Sequence, residues 1–223
     1  MNQDQFYEKE YEKIFNSGTL GLMSDFMHRF IEKPFRNSDY FDKVLEVGAG
    51  HGQHYKFVRH GYDKYLESDL RLLDSVKETE KNSRRMKVQL DAQDLSSVKE
   101  ISIDRLIATC ILVHLPDPEK ALQQWKRVMK PGGVISVYVP NEPGILLRLF
   151  RNLTTIPKSR KHGFDHKSIH YREHRNMWIF CDLLIQEIFQ DAIIERRSFP
   201  FKFLPWNLRL FDVYQIKIDE SEK

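Results

Sequence analysis

The stretch Val44-Leu45-Glu46-Val47-Gly48-Ala49-Gly50-His51-Gly52-Gln53-His54 constrains this 223-residue chain more than any other. A short apolar run ends in an acid, and glycine then takes every second position. Val44, Leu45 and Val47 read as the end of a buried parallel strand. Gly48, Gly50 and Gly52 permit a sharp turn that brings backbone close to a ligand. The residues from Gln53 to about Arg59 predict a helix whose first amides point back at that ligand. Gly61 is expected to end that helix in the left-handed conformation.

Spacing decides what the ligand is. A dinucleotide fingerprint, G-x-G-x-x-G, needs a third glycine where Gln53 stands, and the Gly-Lys-Ser/Thr of a P-loop is absent. Glu46-x-Gly48-x-Gly50-x-Gly52 resembles motif I of the class I S-adenosylmethionine (SAM) dependent methyltransferases. SAM carries a sulfonium and an ammonium, so a carboxylate at the strand end favours it and would repel a pyrophosphate. The resemblance implies SAM as cofactor and S-adenosyl-L-homocysteine as product, with Glu46, Gly48, Ala49, Gly50 and Gln53 as contacts at the turn.

The later segments extend the pattern. Lys64 to Leu70 predicts a second strand ending in Asp69, which lies 19 residues past Gly50, the distance at which a βαβ unit sets a carboxylate beside a ribose. Asp69 resembles the family's ribose acid, with Leu70 against the adenine face, although the same acid suits the N-cap of a helix over Arg71–Lys81. Lys87 to Leu90 predicts a third strand, and Asp91-Ala92 stands where the family reads the adenine amino group. Asp91 also suits a turn that needs no ligand. Asp104 to Thr109 predicts the fourth strand, so Thr109 and Cys110 line the cleft at its carboxyl end. An amphipathic helix over Glu119–Met129 leads through Lys130-Pro131-Gly132-Gly133 to a fifth strand, Val134–Pro140. The run from Asp104 to Pro140 resembles the corresponding segment of small-molecule methyltransferases.

The fold implied is α/β: a doubly wound, seven-stranded, mostly parallel sheet whose last strand is antiparallel. Residues 1–36 form an N-terminal helical cap and 37–223 the SAM-binding domain. In the cap, a helix over about Leu20–Lys33 is expected to bury Leu22, Met23, Phe26, Met27 and Phe30, and Tyr11 on the preceding helix is a candidate substrate contact. Later, Met177, Phe180, Cys181, Leu184 and Ile188 read as a buried stripe. Ala192–Ser198 and Phe211–Ile218 read as the last two strands.

Residues 141–176 interrupt this rhythm as a basic insertion before the sixth strand. Arg148, Arg151, Lys158, Arg160, Lys161, Lys167, Arg172 and Arg175 face only Asp165 and Glu173 between 148 and 175. This is either a solvated face or a lid that attracts an anionic small or lipid-linked acceptor. His162, His166, His170 and His174 recur every four residues, but Gly163 and the lack of accompanying cysteines argue against a metal, and none is expected. Arg172 and His174 are candidate substrate contacts.

Methyl transfer to a hydroxyl calls for a base, and His114, just past the fourth strand, has the chemistry. The family often carries His-His-Leu there, and this chain has Val113-His114-Leu115. The Asn/Asp-Pro-Pro-Tyr/Phe motif of amino-methylating nucleic-acid enzymes is absent. The reading is a methyltransferase for a small or lipid-linked anionic acceptor, with oxygen favoured. An RNA methyltransferase using residues 148–175, or a non-catalytic SAM-binding module, are the alternatives. The net charge of +3 is too small to imply nucleic acid. No apolar run reaches the ~20 residues of a membrane span, the first residues are polar, and Cys110 and Cys181 match no disulfide pattern, so a cytoplasmic protein is expected.

Overall fold

The computed structural model describes residues 17–71, 84–163, 165, 170 and 172–220. Seven strands form one sheet: β1 Tyr40–Val47, β2 Gly61–Asp69, β3 Arg85–Gln89, β4 Ile103–Thr109, β5 Met129–Pro140, β6 Ile193–Phe199 and β7 Phe211–Lys217. Their order is β3-β2-β1-β4-β5-β7-β6. The pairings β1–β2, β1–β4, β2–β3 and β4–β5 are parallel, and β7 runs antiparallel to both of its neighbours. The expected sheet is therefore the observed one.

Helices cover both faces. On one, α2 (Pro118–Val128) begins at Asp117, whose carboxylate accepts from the Lys120 amide, with Pro118 in the first turn. It buries Ala121, Leu122, Trp125 and Val128 against Leu45, Val47, Leu106 and Ile135. The helix α5 (Trp178–Ile188) packs on the same face. On the other face lie α1 (Gly18–Glu32) and α3 (Ile145–Leu153), around Ile31, Leu147, Phe211 and Val213. A short α4 (Thr155–Lys161) follows α3, so the first half of the insertion is helical.

Several local expectations change. The helix after the glycine turn is a single 3-10 turn, His54–Phe57. Gly61 does not cap it: Gly61 opens β2 opposite Tyr40, and a Cβ there would lie 2.6 Å from the Tyr40 ring. The chain thus has only three residues between turn and strand, too few for a longer helix. In α1 the expected face is observed in part: Met23, Met27 and Phe30 pack partly buried against the core around Ile31, whereas Leu22 and Phe26 are exposed. Leu22 is 73% exposed, while His28, Ile31 and Glu32 are buried. Met177 and Phe180 are likewise exposed, whereas Cys181 and Leu184 are buried. The helices expected before Ser17 and over Arg71–Lys81 fall outside the described residues, apart from Arg71.

Candidate active site

Strand order reverses between β1 and β4, and in such sheets the crevice beyond the strands' carboxyl ends there receives the ligand. The glycine turn leaves β1 at that crevice. Gly48, Gly50 and Gly52 all have positive φ, at 66°, 53° and 72°. A Cβ on Gly48 would lie 2.1 Å from Ile111 Cδ1, so Ile111, from the β4 exit, sits directly on the turn. A Cβ on Gly50 would meet nothing within 4 Å. The two positions therefore separate strain from space. Gly50→Ala carries only the left-handed penalty, about 1–2 kcal/mol. Gly48→Ala adds a collision that displaces Ile111, and it should lower SAM affinity on the order of tenfold beyond Gly50→Ala in calorimetry.

Asp69 ends β2 at the same edge. Its Oδ2 accepts from Gly50 N at 2.8 Å and its Oδ1 from Arg71 N at 3.2 Å, so it ties the turn to the β2 exit. Leu70 beside it is 58% exposed. Across the edge, Asp91 Oδ1 accepts from Gln93 N at 2.9 Å, and the buried Ala92 carbonyl is fixed by Trp125 Nε1. Thr109 closes β4 opposite Tyr138. Cys110 follows at φ 61°, a conformation non-glycine residues seldom adopt, and burial pushes its thiol up to about 12.

Two sites at the turn hold orphaned polar atoms. Glu46 is fully buried; Tyr65 Oη donates to its Oε2 at 2.6 Å, and its Oε1 has no partner. Burial raises its pKa to about 7, with the nearby His54 and the Tyr65 hydrogen bond opposing. Gln53 Nε2 is buried and unpartnered too. An ammonium for Glu46 Oε1 and an acceptor for Gln53 would satisfy both, so the donor set fits SAM's methionine end.

Beneath the turn lies a charged network absent from the sequence reading. Arg105, on β4, donates through both Nη atoms to Glu32 of α1, at 3.1 and 2.5 Å. His54 Nε2 lies 2.8 Å from the same carboxylate, and His54 Nδ1 is 2.9 Å from His28 Nδ1. Burial disfavours the Glu32 carboxylate, but Arg105 and His54 outweigh it and bring its pKa to about 2.

A second cluster forms beyond β4 and β5. The backbone amides of Arg175 and Asn176 donate to Val113 O, and Asn176 Nδ2 donates to Leu112 O and Leu115 O. Trp178 N donates to Glu142 O. These bonds pin the segment around residue 174 over the β4 and β5 exits. His174 Nδ1 then lies 2.6 Å from Glu142 Oε1, and His170 Nε2 lies 2.9 Å from Glu142 Oε2. Arg151 from α3 contacts Glu142 and His170, and the His114 ring packs edge-on against His174 with centroids 4.4 Å apart. Burial opposes the Glu142 carboxylate, but hydrogen bonds from His170 and His174 and the Arg151 charge hold its pKa well below the ordinary range. Burial lowers His174 to about 3 and His114 to about 4. Glu142, His170 and His174 bring three ligating atoms within 4.8 Å, but the Arg151 guanidinium already supplies positive charge to that carboxylate.

His114 and His174, both singled out from sequence, are thus adjacent, and Arg172 is exposed nearby on the same segment. Tyr11 falls outside the described residues. Glu142 and Arg151 were missed as site residues. The available signal for Glu142 was its place just beyond a strand's carboxyl end.

Buried histidines also predict acid sensitivity. Burial lowers His28 and His174 to about 3 and His60 and His114 to about 4. Once pH drops below the unfolded value of about 6.5, the unfolded chain takes up protons that the folded chain refuses. Stability therefore falls from pH 6.5 toward 4, by on the order of 1 kcal/mol per pH unit for each such proton. Glu46, with its pKa raised to about 7, acts in the opposite sense, as one group against four. Urea unfolding from pH 7.5 to 4.5 should show falling midpoints throughout.

The sheet order, the left-handed glycine turn and the acid at the β2 exit are the arrangement expected of a class I SAM-dependent methyltransferase fold. Residues 45–137 match the family described as a methyltransferase domain. A tRNA 5-carboxymethoxyuridine methyltransferase of Escherichia coli K12 is 28% identical over 111 residues, which cover 47% of this chain and 42% of that enzyme. A human thiol S-methyltransferase is 28% identical over 97 residues, covering 41% of this chain and 40% of that one. The alignments thus span less than half the length of these curated relatives. A SAM-dependent methyltransferase of Archaeoglobus fulgidus superposes with TM-score 0.60 at 15% identity, over 93% of this chain and 97% of that one, which shows the shared fold.

Proposed function

We propose that this protein transfers the methyl group of SAM to a hydroxyl of a small or lipid-linked anionic acceptor. The observation that carries this reading is the His174 imidazole held through Nδ1 on the buried Glu142 carboxylate, at the exits of β4 and β5. Glu46 Oε1, Gln53 and the glycine turn would receive SAM's methionine end, Asp69 the ribose, and Asp91 and Leu70 the adenine. Bound SAM supplies an electrophilic methyl, released as its sulfur keeps the bonding pair.

A carboxylate on Nδ1 fixes the tautomer and leaves the Nε2 lone pair to accept a proton. At neutral pH the burial-lowered pKa of His174 keeps that lone pair available. An alcohol oxygen turns strongly acidic as it bonds to carbon, so even a weak base takes its proton. His114 packs against His174, and we assign it to holding that ring. Arg172 and Arg175, both exposed on the same segment, attract a negative acceptor.

Calorimetry with SAM tests the cofactor half. Binding should be measurable for the native chain and about tenfold or more weaker in Asp69→Ala, which loses charge-assisted ribose hydrogen bonds. No binding at millimolar SAM would overturn it. Transfer of label from methyl-labelled SAM into an organic-extractable acid would support the acceptor half. The likeness to a tRNA-modifying enzyme favours one rival. Label entering RNA, with steeply salt-dependent RNA affinity, would establish that rival instead.

A further inference from the structure

The rim around the site's mouth is apolar and basic, and neither the core nor the proposed chemistry accounts for it. On α3, Ile145, Leu149 and Leu153 stand four residues apart on one side, exposed by 60%, 51% and 71%. The β6–β7 connection exposes Phe201 and Phe203, whose rings stack on each other at 5.4 Å. The start of α5 exposes Met177 and Phe180.

Topology brings these three segments to one edge. Strands β5 and β6 run in the same direction, so α3 and the β6–β7 connection both begin at the sheet's carboxyl edge, where α5 also starts. The 3-10 turn Trp206–Leu208 joins them: Trp206 stacks on Trp178 of α5 at 5.7 Å, and Asn207 crowds Gly144 before α3. On α3 with its continuation and on the β6–β7 connection the charge has one sign. Residues 144–163 hold five Arg and Lys and no acid, and 199–210 hold Lys202 and Arg209 and no acid. Arg148 on α3, Arg160 and Lys161 on α4 and Lys202 on the β6–β7 connection are exposed.

An exposed apolar patch of this extent marks an interaction surface. Apolar side chains accompanied by exposed Lys and Arg match the chemistry of an interface with anionic lipid headgroups, where rings enter the acyl boundary and cations meet phosphates. We propose that this carboxyl-edge rim is a docking surface for an anionic lipid bilayer, seating the mouth of the site on the membrane. The proposal goes beyond the methyl-transfer reading and stands without it, since lipid binding needs neither SAM nor an acceptor. No described helix is long and apolar enough to cross a membrane, so the attachment is peripheral.

Co-sedimentation of the full chain with vesicles tests this. The protein should pellet with mixed phosphatidylglycerol–phosphatidylcholine vesicles, weakly with phosphatidylcholine alone, and less as salt rises. The variant F201S/F203S should lower the partition coefficient on the order of tenfold while keeping the native melting temperature and SAM affinity. Separately, L149S/L153S should lower it similarly, which keeps the test open should one variant misfold. Failure to pellet with the anionic vesicles, or pelleting indifferent to both variants, overturns the proposal. So does a dimer in sedimentation velocity that F201S/F203S dissolves, which would place a second copy of the chain on this face.

Discussion

Glu142→Gln should lower kcat by about 10²- to 10⁴-fold, the range for losing an oriented general base, with SAM affinity nearly unchanged. The substitution keeps the shape of the side chain and removes its charge. His174 then has only a neutral amide oxygen to accept from its Nδ1–H, and Arg151 loses its counter-charge. Glu142 acts through His174, so a purely structural role must be distinguished. Glu142→Asp, which keeps the charge, should recover part of kcat where Glu142→Gln does not at equal melting temperature, a rescue that simple loosening would not produce. His174→Gln preserves a hydrogen-bond donor toward Glu142 and should show the same loss of kcat. A rise in KM alone, in Glu142→Gln or His174→Gln, would demote the pair from catalysis to acceptor binding.

Glu32→Ala should cost about 3–5 kcal/mol, because it leaves the Arg105 guanidinium buried without its anion. Both side chains have no solvent exposure, and the Arg105 charge otherwise lies over the Phe35 and Phe41 rings and near Ser136, none of which carries a negative charge. The pairing of Glu32→Leu with Arg105→Met should restore most of that loss, since two well-packed apolar groups replace a costly ion pair. Restored stability need not restore function. His54, one residue after Gln53, would still lack its carboxylate, so SAM affinity should stay reduced in the double variant. Urea denaturation and calorimetry on the three variants decide this. A single-variant loss below about 1 kcal/mol would mean that water reaches Arg105.

The elements that were legible in sequence share one property: their signal is local. The glycine turn, the amphipathic period of α2 and the apolar strands each declare themselves within about a dozen residues. In α1 the period and part of the packed face, Met23, Met27 and Phe30, were readable, but its polar buried side was not. Apolar Leu22 and Phe26 lie partly or largely in solvent, while His28 and Glu32 go inward. The cause is Arg105, 73 residues distant in sequence from Glu32, whose buried charge recruits the helix's polar side. The same holds for the 3-10 turn at His54. Composition predicts a helix, but three residues remain before β2, and His54 is held by Glu32.

By itself the sequence determined the sheet, its order of elements and the acids at the β1, β2 and β3 exits, because each rests on residues near one another in the chain. Only the tertiary structure decided what stands opposite that site. Glu142, Arg151 and His174 come from the β5 exit, α3 and the segment before α5, and they meet through backbone bonds to Val113 and Glu142. No spacing along the chain encodes that meeting. It follows from parallel strands delivering their loops to one edge, where burial then turns ordinary carboxyl and imidazole groups into a coupled pair.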